Sequence, residues 1–427
     1  MYSVSRGEIV VDNKVIDSYI IEDNFICSSY ALSGDLEAYK RKIAIGVNSW
    51  ENAKLEQKII LSQSQDKNEY NLFFAPEGQN VKNFCAPVIL SANKPFKKSM
   101  NTFKSIRFLG GALDIVQRVG YATPNKPTIF ETSEKNIETF YTIHLLDEGK
   151  SYSVNIFGKK AKVNIGAQCN QSSKDFFTVT AHSTLTIEFE DEQPIESCES
   201  ITIYLNAVKE FLSFCIGQQN IGFNKIQLAN VNCKNNTAEI RYNSYLTELC
   251  NKKYSDDTII KLHKLGCKLP KIFELFFNDS QKPYIEFLQS RNDDMLKIYG
   301  YNIINLVTSI NREVKIHEKI KNNSGRKGNE KGTRELYQKY ANSVVKTLGH
   351  FPILTCTGDK TNRDDIYNFI DIRNTIEHEG IVSLSGVSKA YYPLLCTVYY
   401  SIFERAGFSI SEIEEILKDW NNIQPIL

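Results

Sequence analysis

A chain of 427 residues exceeds what one hydrophobic core usually organises, so two domains are the starting expectation. Hydrophobic residues at 42% and charged residues at 24% fit a folded globular protein and exclude a disordered or fibrous one. A formal net charge of +1 excludes a chain-wide basic field for nucleic acid, so any such site has to be a local patch.

The first residues, MYSVSRGEIVVDNKVIDSY, show no basic segment leading into an apolar run, and no uninterrupted apolar stretch reaches membrane-spanning length. The expectation is a cytoplasmic protein with no membrane partner. Ten cysteines lie scattered from Cys27 to Cys396 without a CxxC pair, which argues against zinc knuckles and against a disulfide framework. Reduced, mostly buried thiols are the simple account.

The first half reads as strands. KAKVNIG (160–166) alternates Ala161, Val163 and Ile165 with Lys160, Lys162 and Asn164. FFTVTAHSTLTIEFED (176–191) puts Phe177, Val179, Ala181, Leu185, Ile187 and Phe189 on one face and Thr178, Thr180, Thr186, Glu188 and Glu190 on the other. A period of two over such lengths predicts half-buried antiparallel strands, as in a sandwich or distorted barrel. Then the period changes. Ile201, Tyr204, Leu205, Val208, Phe211, Leu212 and Cys215 follow helical spacing, with Gly217 as the stop. Two further strand-like runs, FNKIQLANVN and TAEIRYNSY, follow.

From about residue 255 the pattern is helical almost throughout. LPKIFELFFND places Pro270 in a first turn. Ile298, Ile303, Ile304, Val307 and Ile310 recur at helical intervals, and TRELYQKYANSVVKTLG ends at Gly349. NRDDIYNFIDIRNTIEH opens on Asn362 as cap, with Asp364 and Asp365 in the first turn. YYPLLCTVYYSIFERAG and SISEIEEILKDW close the chain. A bundle of four to six helices fits, interrupted by the polar, Lys/Arg-rich loop IKNNSGRKGNEKG. The fold class is therefore α+β, a β-rich domain followed by an all-α one.

Several chemistry-bearing signatures are missing. SGRKGNEKGT lacks the Gly-Lys-Ser/Thr ending of a phosphate-cradling loop, His317-Glu318 has Lys321 where a zinc-binding helix needs its second His, and no GxSxG occurs. The six histidines, at 144, 182, 263, 317, 350 and 378, form no ligand cluster, so neither metal nor cofactor is expected. His182, inside an alternating strand, reads as a surface residue or a satisfied core residue.

What remains is IDIRNTIEHEG (370–380). On a helix Asn374 and His378 are offset by about 40° and stack on one face, whereas Arg373 and His378 are offset by about 140°. A long Arg can swing around, or the two groups can meet across a second copy of the helix. Arg and His together suit phosphodiester chemistry: the guanidinium grips a phosphate bidentately and the imidazole moves protons near neutrality. Spacing alone is unspecific, because REVKIH repeats it from Arg312 to His317. Context separates the two: His378 is followed by Glu379-Gly380, which ends the helix, while Arg312 runs on toward the basic loop.

IRNTIEHEG, late in an all-helical segment, resembles the Arg-Asn-x-x-x-His motif of HEPN ribonucleases, and the layout as a whole resembles that of ApeA-type anti-phage proteins. The resemblance divides the chain into an ApeA-like β-rich sensor or regulatory domain over 1–245 and a HEPN-like helical ribonuclease domain over 255–427. It implies a homodimer through the HEPN domain, with Arg373 and His378 of both copies in one cleft. It implies metal-independent RNA cleavage, with His378 in proton transfer, Arg373 on the phosphate and Asn374 orienting either His378 or the substrate. RNA is then the substrate, tRNA being one candidate. A phage-derived trigger would act at the β-rich domain, and the outcome would be abortive infection. Lys321, Arg326 and Lys327 of the basic loop are the candidates for RNA contacts, against their reading as an ordinary solvated loop. Two alternatives stay open: a HEPN bundle without catalysis, serving dimerisation beside a ligand-sensing β-rich domain, and a carbohydrate- or ligand-binding sandwich with structural helices.

Overall fold

The computed structural model describes residues 4–11, 14–22, 25–28, 59–64, 70–74, 83–85, 88–93, 102–117, 121–124, 141–144, 149–172, 178–197, 199–217, 221–230, 237–241, 260–279, 305–310, 312–313, 340, 343–344, 347 and 384–417. The chain divides into two compact units, residues 1–206 with 222–250 and residues 207–221 with 251–427. The class is mixed α+β.

The first unit is built on strands β1 (Val4–Val11), β2 (Lys14–Glu22), β3 (Phe25–Ser28), β4 (Ile59–Ser64), β5 (Tyr70–Phe74), β6 (Asn83–Cys85), β7 (Val88–Ala92), β8 (Thr102–Leu109), β9 (Tyr121–Pro124), β10 (Tyr141–His144), β11 (Lys150–Ile156), β12 (Lys159–Ser172), β13 (Thr178–Pro194), β14 (Lys225–Ala229) and β15 (Thr237–Arg241). Thirteen of them pair in the order β11-β12-β13-β8-β14-β15-β7-β5-β4-β1-β2-β3-β6, and β10 pairs with β9 separately. Every pairing is antiparallel.

Alternation explains the best-packed part. Ala161, Val163, Ile165, Leu185, Ile187 and Phe189 are buried, while Lys160, Lys162, Glu188 and Glu190 are exposed. In register, Val163 faces Ile187 and Ile187 faces Ile106, so the buried rows of adjacent strands align across the sheet. Phe103, Phe189 and Tyr204 close the packing edge to face, with ring centroids 5.1 to 6.1 Å apart. Phe157 (φ 50) and Gly158 (φ 76) join β11 to β12, both with positive φ, the arrangement that matches a hairpin turn to strand twist. β13 slips against β8: Glu188 faces Ser105 but Gln193 faces Phe103, an extended bulge. The slip turns Gln193 inward, where Lys159 donates to its Oε1 and its own amide donates to the Asp191 carbonyl at 2.7 Å.

A two-glycine turn carries β8 into the short helix α1 (Ala112–Val116). Gly110 and Gly111 both have φ +62, and a Cβ on Gly111 would sit 2.4 Å from the Gly222 carbonyl oxygen. That same oxygen accepts the Ala112 N–H at 2.9 Å, so the backbone there has nowhere to move. Gly111→Ala is expected to cost about 2 kcal/mol or more, read as a lower midpoint in chemical denaturation, because strained φ and a backbone clash add. An unchanged midpoint would mean the turn can relax.

Helix α2 (Glu199–Ile216) begins in the first unit and continues in the second. Its seven residues predicted to share the apolar spacing are all buried. Gly217 ends it with φ 74, its N–H donating to Ser213 at 2.7 Å.

Every described element of the second unit is helical. A 3-10 helix (Leu262–Lys268) kinks at Gly266 into α3 (Leu269–Asn278), which has Pro270 in its first turn. Residues 305–310 are helical, and α4 (Leu384–Arg405) and α5 (Ile410–Leu417) follow. Phe211, Phe214, Phe273, Phe276, Tyr399 and Phe403 form a chain of ring contacts 4.6 to 6.3 Å apart, and the Tyr399 hydroxyl donates to the Phe214 carbonyl at 2.8 Å. The α4–α5 corner has complete capping. Gly407 (φ +82) donates to Glu404, Phe408 donates to Phe403, and the Phe403 and Phe408 rings touch at 5.1 Å. Ser409 and Glu412 then form a reciprocal capping box at the start of α5. Among the described residues no helix is long and apolar enough to cross a membrane.

Candidate functional site

Arg373, Asn374 and His378 lie outside the described residues, as do Lys321, Arg326, Lys327 and the comparison residue His317. Other polar clusters lie among the described residues, at Arg405 and at the α4–α5 corner in the helical unit and at Asp114 in the β-rich unit.

In the helical unit Arg405 closes α4 with its guanidinium buried. Nη2 donates to Asp279 at 2.7 Å and Nε lies 3.0 Å from Glu313, its N–H not aligned on the carboxylate oxygen. Glu313 is 1% exposed, and neither of its oxygens accepts an aligned hydrogen bond. Burial pushes its carboxyl up to about 7, Arg405 pulls it back down and Asp279 pushes it up further. Four residues earlier the Ser309 hydroxyl is buried without a partner. Next to Arg405, Glu404 accepts from the Tyr340 hydroxyl at 3.1 Å, and burial together with that carboxylate raises the Tyr340 phenol far above its ordinary value. Chemically this cluster holds the Asp279 and Glu313 carboxylates against one guanidinium. Both occupy Arg405, so it is not offered to a phosphate.

At the α4–α5 corner the Lys268 ammonium binds the Gly407 carbonyl and Glu412, and lies 5.2 Å from the Phe408 ring centre. Lys268, then the Ser409 N–H and hydroxyl, hold the Glu412 carboxyl down at about 2.

In the β-rich unit the glycine turn brings Asp114 onto β13. Its Oδ1 accepts the Ser183 N–H at 2.6 Å and its Oδ2 lies 2.9 Å from His182 Nδ1. A carboxylate oxygen accepts here, so Nδ1 is the donor of this contact. Such a pair is half of a general-base device. The buried Ser183 hydroxyl is committed to the Gln117 carbonyl at 3.4 Å, so the described contacts supply no nucleophile for it. Asp114 instead latches α1 to β13, which makes His182 a satisfied residue. Alternation in the sequence places His182 on a strand, but its carboxylate lies 68 residues away and only the fold brings it near.

Among the described residues no group of three or more His, Cys, Asp or Glu side chains is placed to hold a metal ion. Comparison with protein-family models, curated proteins and solved structures finds no match to the chain.

Proposed function

We propose that the chain is a metal-independent endoribonuclease of the HEPN type, acting as a homodimer in anti-phage defence in the cytoplasm. In this reading residues 255–427 form the HEPN-like helical domain, and 1–245 form an ApeA-like, sandwich- or barrel-like sensor that answers a phage-derived trigger. The observation that carries it is the stretch IRNTIEHEG, set in a unit whose described elements are all helical.

The chemistry needs only what those side chains offer. His378 takes the proton of a ribose 2′-hydroxyl, and the 2′-oxygen attacks the neighbouring phosphorus. The bond to the 5′-oxygen breaks, a protonated imidazole returns a proton to that leaving oxygen, and the products end in a 2′,3′-cyclic phosphate and a 5′-hydroxyl. Arg373 holds the phosphate oxygens as charge builds on them, and Asn374 orients His378 or the substrate. Sequencing RNA ends after expression of wild type and His378→Ala side by side tests the proposal. New ends, including those in tRNA, should be present with wild type and missing with the variant. Identical end profiles would refute it.

A further inference from the structure

Strands β12, β13, β8 and β14 lie side by side, and their register sets four polar residues in one row. Asn164 faces Thr186, Thr186 faces Arg107, and Arg107 faces Gln227. At the usual strand separation the row is about 14 Å long. Ile106 and Phe108, on either side of Arg107 in the chain, are buried in the core, so the row lies on the opposite face of the sheet. All four residues of the row are half-buried. Arg107 makes no hydrogen bond and no ion pair among the described residues, and its Nε is enclosed without an acceptor. The side chains of Asn164, Thr186 and Gln227 likewise bond to no other described residue. The charges beside the row are matched: Lys225 lies 2.7 Å from Glu239, and the exposed Lys162 and Glu188 face each other across β12 and β13. Arg107 is the cation left over.

We infer that Arg107, flanked by Asn164, Thr186 and Gln227, binds the carboxylate of a small polyhydroxylated acid, a sugar acid in chemical class, on this face of the β-rich unit. The guanidinium directs two parallel N–H groups at the two oxygens of one carboxylate. The two amides and the hydroxyl can each donate and accept, which is what the hydroxyls of such a molecule need. One spare positive charge matches one negative charge. A phosphate monoester would bring a second negative charge near Glu188, two positions from Thr186 on the same face, while the nearest lysines already stand against carboxylates. Half-burial of the row strengthens a charge-assisted bond formed there, because less water competes for it. The inference does not rest on the ribonuclease reading; it gives the sheet a ligand whatever chemistry the helical unit performs.

The test is saturation-transfer NMR on the full chain, titrated at constant ionic strength with D-glucuronate, D-glucose and D-glucose 6-phosphate. Glucuronate should bind, and glucose, which lacks the carboxylate, should bind at least about tenfold more weakly. Glucose 6-phosphate should bind more weakly than glucuronate. Arg107→Gln is expected to weaken glucuronate about tenfold or more, and Arg107→Lys nearly as much, since an ammonium cannot replace the fork. Gln227→Leu should cost about threefold to tenfold, and it keeps the test open should the Arg107 variants fail to fold. No saturation transfer to glucuronate on wild type overturns the inference. So do equal affinities for glucuronate and glucose, tighter binding of glucose 6-phosphate, or affinities in the folded variants equal to wild type. Glucuronate binding through Arg107 in a chain that leaves RNA uncut would sink the ribonuclease reading and leave this site standing.

Discussion

RNA cleavage by the purified full chain is expected to drop by roughly 10²–10⁴-fold when His378 becomes Ala, with the thermal unfolding midpoint unchanged. A general acid–base group contributes on that scale. Arg373→Lys should fail almost as badly: an ammonium keeps the charge but cannot make the two parallel N–H bonds that a guanidinium directs at a phosphate. His317→Ala should cut like wild type, although Arg312 and His317 share the spacing of Arg373 and His378. This internal comparison gives the experiment its force. Should His317→Ala abolish cleavage while His378→Ala is tolerated, the chemistry belongs to the other pair. Toxicity on expression that His378→Ala relieves would separate an enzyme from a HEPN bundle used only for dimerisation.

The elements whose cause is local were legible in the sequence. Ala161, Val163 and Ile165 alternate because each successive strand residue turns to the opposite face, and all three are buried. The helical spacing from Ile201 to Cys215, Gly217 as its stop and Pro270 in a first turn follow the same kind of rule. The capping box at Ser409 and Glu412 is also local, a Ser-x-x-Glu signature that apolar periodicity does not detect. Long-range pairings were not legible. The slip between Glu188 and Gln193 depends on where β8 meets β13, and Asp114 reaches His182 only because two glycines turn the chain back on itself. Arg405, Asp279 and Glu313 are even less accessible to pattern reading: Arg405 and Glu313 are helical, Asp279 stands just past the end of α3, and nothing in their neighbours announces a buried ion cluster. The proposed catalytic residues are the reverse case, a local motif whose three side chains lie outside the described residues.

Replacing Arg405 with Met is expected to remove about 3–5 kcal/mol of stability at pH 8, where it strands the Asp279 and Glu313 carboxylates in a buried site. That is a large share of the roughly 5–15 kcal/mol holding a typical domain together, so denaturant titration will see it clearly. The loss should shrink toward pH 6, because Glu313 can then take up a proton rather than remain a bare anion. The same group gives wild type its own pH dependence. Burial raises the Glu313 carboxyl from an ordinary 4.5 to about 7, with Arg405 opposing and Asp279 reinforcing the rise. Between those two values the folded chain binds more protons at this site than the unfolded chain does. Stability therefore declines as pH climbs from about 4.5 to 7, by roughly 3 kcal/mol if the whole shift is realised. Glu313→Gln, neutral at every pH, should flatten that decline and leave the variant more stable than wild type at pH 8. A Glu313-dependent gain in stability over the same range would mean that the Arg405 pairing outweighs burial and that the carboxylate is held ionised.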